Sequence, residues 1–106
     1  MSGGGSRSLT FRARSSEVFA ALQEAARRTG FQYLSGDVST STAVFTSGRF
    51  VLLVGEKVHV RWEDVAPGTI RVTLSPARFG IAGAGRRSPG VDRLADELGA
   101  LLPPAQ

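Results

Sequence analysis

The chain contains no cysteine and a single histidine, His59, in 106 residues. Without thiols there is no disulfide, no iron–sulfur cluster and no cysteine nucleophile, and one histidine cannot complete a multi-histidine metal site. Lysine is almost as scarce: Lys57 is the only one among 13 basic residues, the rest being arginine. No apolar run approaches the roughly 20 residues that cross a bilayer as a helix. The amino end lacks the apolar stretch of a secretory signal. These absences lead us to expect a soluble, cytoplasmic protein with no metal and no cofactor.

What is present suits one globular domain. The chain is 42% hydrophobic and 21% charged, and this length buries roughly two-thirds of its surface in a single core without a covalent staple. Net charge is +4 and the pI is near 11.0. A basic balance favours phosphate-bearing or acidic partners, but four excess charges are few, and arginine in place of lysine is also what GC-rich coding produces.

Residues 1–8 are Gly/Ser-rich and read as a flexible lead-in to one domain over 9–103. Leu9, Phe11 and Ala13 alternate with Thr10, Arg12 and Arg14, which predicts a strand over Leu9–Arg14. Ser15 and Ser16 offer a helix N-cap, and Val18, Phe19, Leu22, Ala25 and Ala26 make one apolar stripe. Arg27 and Arg28 suit the last turn, and Gly30 the left-handed cap. Strands are predicted at Phe31–Ser35, Thr42–Thr46, Lys57–Val65 and Thr69–Ser75, with a short apolar run at Phe50–Val54. Phe79–Gly85 is glycine-rich and reads as irregular or as an edge strand. Ser88-Pro89 then starts a second amphipathic helix through Leu94 and Leu98, which Pro103-Pro104 stops.

The resulting order, β-α-β-β-β-β-α, is most economically satisfied by an α+β two-layer sandwich: a curved antiparallel sheet with two helices packed on one face. Val18-Phe19-Ala20-Ala21-Leu22, Thr29-Gly30-Phe31, Gly55-Glu56-Lys57-Val58-His59-Val60 and Val91-Asp92-Arg93-Leu94 together resemble helix-grip or TATA-box-binding-protein-like domains. Small bacterial examples are the domains of BamC-type outer-membrane lipoproteins. The resemblance implies that fold and a binding role. It implies no membrane anchor, because the chain has no cysteine to carry a lipid.

Four groups of residues are candidates for function. Gly83, Gly85, Arg86, Arg87 and Ser88 precede the second helix, where free backbone N–H groups and two arginines suit a phosphate or carboxylate. The stretch from Gly80 is a near miss for a nucleotide-binding loop, with Arg86 and Arg87 where Lys and Ser or Thr are required. A solvated connector explains the same residues.

Arg12, Arg14, Lys57, His59, Arg61 and Arg71 fall on the outward strand phase and form a basic face for nucleic acid or another anion. Phe11 and Trp62 fall on the buried phase, which leaves Tyr33, Phe50 and Phe79 as candidates for base stacking. Solvated arginines with cross-strand Arg–Glu pairing account for that face equally. His59 has no carboxylate at catalytic spacing, since Glu63 lies four residues along an extended strand.

Phe19, Leu22, Phe31, Trp62, Leu94 and Leu98 line either a small-ligand groove under the helices or simply the core. Phe50, Leu52 and Leu53 lack alternation, so they are buried on both sides or meet another chain, including a second copy. The reading that follows is a non-enzymatic binding or interaction domain with a protein partner, a self-association surface or a small ligand. Anion or nucleic-acid binding through the arginine face and the Gly83–Ser88 loop is the alternative.

Overall fold

The computed structural model describes residues 6–47, 56–76 and 89–105. Its elements are β1 (Arg7–Arg12), α1 (Ser15–Thr29), β2 (Gln32–Asp37), β3 (Thr42–Thr46), β4 (Lys57–Ala66), β5 (Thr69–Pro76) and α2 (Pro89–Leu101), with a 3-10 turn at Val38–Thr40. The five strands form one antiparallel sheet in the order β1-β5-β4-β3-β2. β2 to β5 run as a meander, and β1 joins at the far side against β5. α1 therefore connects the two edge strands across one face of the sheet. This is the expected α+β two-layer arrangement, with both helices on the same side.

Burial follows the pattern of the side chains. On β4, Val58, Val60 and Trp62 face inward while His59, Arg61 and Glu63 are exposed; on β5, Ile70, Val72 and Leu74 are inward. Val18, Leu22, Ala25 and Ala26 of α1 and Val91, Leu94, Ala95 and Leu98 of α2 meet them in one core. Each large side chain buried there contributes about 1.5–3 kcal/mol of transfer free energy.

Three local expectations change. β1 runs two residues earlier than expected, because its pairing with β5 extends from Arg7 opposite Leu74 to Arg12 opposite Thr69. At Ala13 the backbone N–H turns away to the Gly68 carbonyl, 3.1 Å off. The N-cap of α1 is Arg14 rather than Ser15 or Ser16. Its backbone N–H donates to Glu17 Oε1 at 2.8 Å, and Ser15 is engaged elsewhere as an acceptor for Trp62. β2 continues to Asp37 through a bulge between Tyr33 and Ser35. The far end of α1 is as expected: Gly30 is left-handed (φ 84°) and its N–H returns to the Ala26 carbonyl.

The two edges of the sheet differ. Outside β1, residues 103–105 lie alongside the strand: Arg12 N–H donates to the Pro103 carbonyl at 2.9 Å and Ala105 N–H to the Thr10 carbonyl at 3.0 Å. Outside β2, no strand is paired among the described residues.

Arginines tie the helices to each other and to β1. Arg28 bridges α1 to Glu97 of α2 at 2.9 Å. Arg93 donates to the Thr29 carbonyl at the end of α1. Arg7 reaches Asp96 and Asp92 of α2 at 3.2 and 3.4 Å.

Candidate functional site

Of the residues expected to line an inner groove, Leu22, Phe31, Trp62, Leu94 and Leu98 are buried members of the core, and Phe19 packs against them partly buried. They are brought together, but as packing. Phe19 contacts Trp62 at 6.1 Å between ring centroids and Tyr33 edge-on at 5.8 Å.

Among the described residues a groove lies at the margin of this core, between α1 and the edge strand β2. It is open to solvent, encloses about 410 Å³, and is lined by Ala20, Gln23, Glu24, Arg27, Phe31 and Tyr33. Tyr33 was a candidate for the outer sheet face. Instead it stands on the helix side, edge-on to Phe19 and to Phe45, with its hydroxyl donating to the Gly36 carbonyl at 2.9 Å. Beside it, Leu34 sits in the bulge and Val38 in the following turn; all three are 38–45% exposed.

The rim of the groove on α1 is charged. Glu24 accepts from Arg27 at 3.0 and 2.5 Å and from Arg28 at 2.9 Å. The hydrogen bonds from Arg27 and then Arg28 hold the Glu24 carboxyl down at about 2, from an ordinary 4.5. Sequence reading missed this flank. The one available signal was the adjacent pair Tyr33-Leu34, which breaks strand alternation.

On the opposite side of the sheet, Arg12, His59, Arg61 and Arg71 share the face away from the helices with Lys57. Arg14 does not join them, since it caps α1 beyond the end of β1. Arg71 pairs with Glu63 across the strands at 3.4 Å, both side chains about half exposed or more, so the expected cross-strand Arg–Glu contact is present. His59 lies between Ser75 and Val44 of the neighbouring strands. Among the described residues, no group of three or more histidine and carboxylate side chains is placed to hold a metal.

Gly83, Gly85, Arg86, Arg87 and Ser88 lie outside the described residues, as do Phe50, Leu52 and Leu53 and the Phe79–Gly85 stretch. At the helix they precede, Gly90 N–H donates to Glu56 Oε2 at 3.0 Å. A carboxylate of the chain itself thus takes one of the N–H groups at the start of α2.

No protein-family model matches the chain, and no curated protein sequence is similar to it. Solved structures do match in fold. The adenylate sensor from AMP-activated protein kinase in complex with ZMP superposes with a TM-score of 0.65 at 15% identity, covering 92% of this chain and 97% of that one. The same sensor complexed with ATP gives 0.64 at 13% identity, covering 93% and 98%.

This corrects the resemblance to helix-grip, TATA-box-binding-protein-like and BamC-type domains drawn from the sequence. The residues that carried it do generic work: Gly30 caps a helix, while Val18, Leu22, Val58, Val60 and Leu94 fill a core. Such positions recur wherever an amphipathic helix meets a sheet. At these identities the new likeness establishes the fold. No helix among the described residues is long and apolar enough to cross a membrane.

Proposed function

We propose that the chain is a non-catalytic binding domain that receives a protein partner on the α1–β2 flank. The observation that carries this reading is the gathering of exposed apolar side chains. Tyr33, which lines the groove, falls within six residues of Leu34 and Val38, whereas the other large exposed hydrophobic among the described residues, Val65, stands apart near the end of β4. Exposed apolar side chains beside a charged rim are the usual composition of a docking patch. Contact through side chains suits this edge better than strand addition. The bulge at Leu34 breaks its line, and the Gly36 and Asp37 carbonyls already accept from the Tyr33 and Thr40 hydroxyls.

Phe50, Leu52 and Leu53 extend the proposal. Ser47 and Glu56, which flank them in the sequence, pair with each other through their backbones. Five consecutive apolar residues there favour contact with a partner or a second copy. Leu53→Lys is expected to weaken any oligomer seen by light scattering.

A second reading places a nucleotide in the same groove. The sensors sharing this fold were solved with ZMP and ATP, and the groove offers the rings of Phe31 and Tyr33, the amide of Gln23 and the guanidinium of Arg27. Their being sensors also supports a non-enzymatic role.

One experiment separates the two. Peptides selected from a random library against the immobilised chain are expected to lose binding to Leu34→Asp and to Tyr33→Ser while still binding Arg61→Glu. Binders indifferent to both flank variants would refute the protein-docking reading. Titration of AMP or ATP that shifts the amide signals of Gln23, Arg27 and Tyr33 would favour the nucleotide.

A further inference from the structure

We infer that the open face of the sheet binds the phosphate backbone of single-stranded nucleic acid along a diagonal of three arginines, Arg12, Arg71 and Arg61. The face lies across the sheet from the helices and is separate from the α1–β2 flank. Strand register fixes the diagonal. Arg12 is opposite Thr69 on β5, Arg71 is opposite Thr10 on β1 and Glu63 on β4, and Arg61 is opposite Thr73 on β5. Each arginine is therefore one strand and two residues from the next, a step of about 7–8 Å on a pleated surface.

All three are exposed. Among the described residues the side chains of Arg12 and Arg61 make no hydrogen bond or ion pair, and the Arg71 side chain makes only the 3.4 Å contact with Glu63. An exposed pair of that geometry is weak and yields to a better anion. The guanidinium fork matches two oxygens of one phosphate, which lysine does not.

The neighbouring side chains suit the same ligand. Ser8, Thr10, Thr42, Thr69 and Thr73 lie in the rows of the three arginines. They are short enough to let a backbone approach and carry hydroxyls that donate to phosphate oxygens. Apart from Val65, exposed in the bulge beside Thr69, these rows hold no large apolar side chain to enter a lipid layer, and they hold no ring to stack a base. An evenly spaced line of cations fits a linear polyanion better than a membrane surface, and binding is expected to ignore base sequence.

Fluorescence anisotropy with a labelled oligodeoxythymidine of about 12 nucleotides tests the proposal at low salt. Three phosphate contacts on a single strand predict a slope of log K against log salt of about −2. The combined variant Arg12→Glu/Arg61→Glu/Arg71→Glu is expected to lose more than tenfold in affinity. Glu63→Gln frees Arg71 and is expected to gain a few-fold, a change that misfolding does not imitate. The inference is overturned if the oligonucleotide does not bind, if the triple variant binds as well as the parent, or if phosphatidylserine vesicles outcompete the oligonucleotide.

Discussion

The indole N–H of Trp62 donates to Ser15 Oγ across 2.7 Å, joining the middle of β4 to the first turn of α1. Trp62 is 3% exposed, so its N–H has no water to turn to when the partner is lost. Ser15→Ala is therefore expected to cost about 1–3 kcal/mol in urea unfolding, the penalty of an unpaired buried donor. A double-mutant cycle with Trp62→Phe should return a coupling energy above about 0.5 kcal/mol. Additive single variants would show that the contact contributes nothing to stability.

Core and flank are expected to respond oppositely to substitution. Phe45 is fully buried, and Phe45→Ala should destabilise the fold by about 3–5 kcal/mol through lost contacts and the cavity left behind. Leu34 is 45% exposed, so Leu34→Asp should change stability by no more than about 0.5 kcal/mol. Thermal melts of both variants check this. A large loss at Leu34 would mean that the residue is structural and would remove the simplest interpretation of its effect on binding.

Where a side chain's role is set by its own neighbours, the sequence shows it plainly. The stripe Val18, Leu22, Ala25, Ala26 and the stop at Gly30 define α1, and alternation through Val58, Val60 and Trp62 defines β4. What escapes is whatever a distant residue decides. Ser15 has the chemistry of an N-cap, yet Trp62, 47 residues on, engages its hydroxyl, and the cap moves to Arg14. β2 is predicted at Phe31–Ser35, but it is exposed along its whole length, and its extension to Asp37 through a bulge is set by pairing with β3. The exposed residues Tyr33, Leu34 and Val38 show in the sequence only as the broken alternation at Tyr33-Leu34. The arginine diagonal was half legible: the outward phase is local, while the diagonal depends on which strands are neighbours.

Acid should weaken α1 through Glu24. Its folded-state pKa lies near 2 against an ordinary 4.5, because Arg27 and Arg28 donate to the ionised carboxyl. A group depressed in this way adds stability above its unfolded value and loses it as pH falls from about 4.5 towards 2. Glu24 is partly exposed, so solvent screening keeps the contribution small. Glu24→Gln is expected to be slightly less stable than the parent at pH 7 and equal to it near pH 2, with a flatter profile between. Parallel profiles of parent and variant across that window would assign the acid sensitivity to other carboxylates.

Gly90 is held by closeness rather than by backbone angle. A Cβ there would lie 2.6 Å from Glu56 Oε1 and 2.7 Å from Phe31 Cζ. The Glu56 carboxylate can swing aside, but only by giving up its bond to Gly90 N–H, and Phe31 is buried. Gly90→Ala should therefore cost about 1–3 kcal/mol, as overpacking does, despite alanine's better helix propensity. Chemical denaturation measures it, and a variant more stable than the parent would show that Phe31 repacks freely.

The covered edge of the sheet makes the last test, because it asks whether residues 103–105 protect β1. Ala105 N–H donates to the Thr10 carbonyl, and Arg12 N–H donates to the Pro103 carbonyl. Proline at 105 removes the first donor without touching the sheet itself. Losing one such bond costs about 0.5–1.5 kcal/mol, and it leaves the Thr10 carbonyl open at a strand edge, where another chain can pair. Ala105→Pro is accordingly expected to lower the unfolding midpoint modestly and to raise self-association at high concentration in sedimentation velocity. Destabilisation without association would mean that the segment adds stability only. Association without destabilisation would mean that its main work is to keep a second copy from β1.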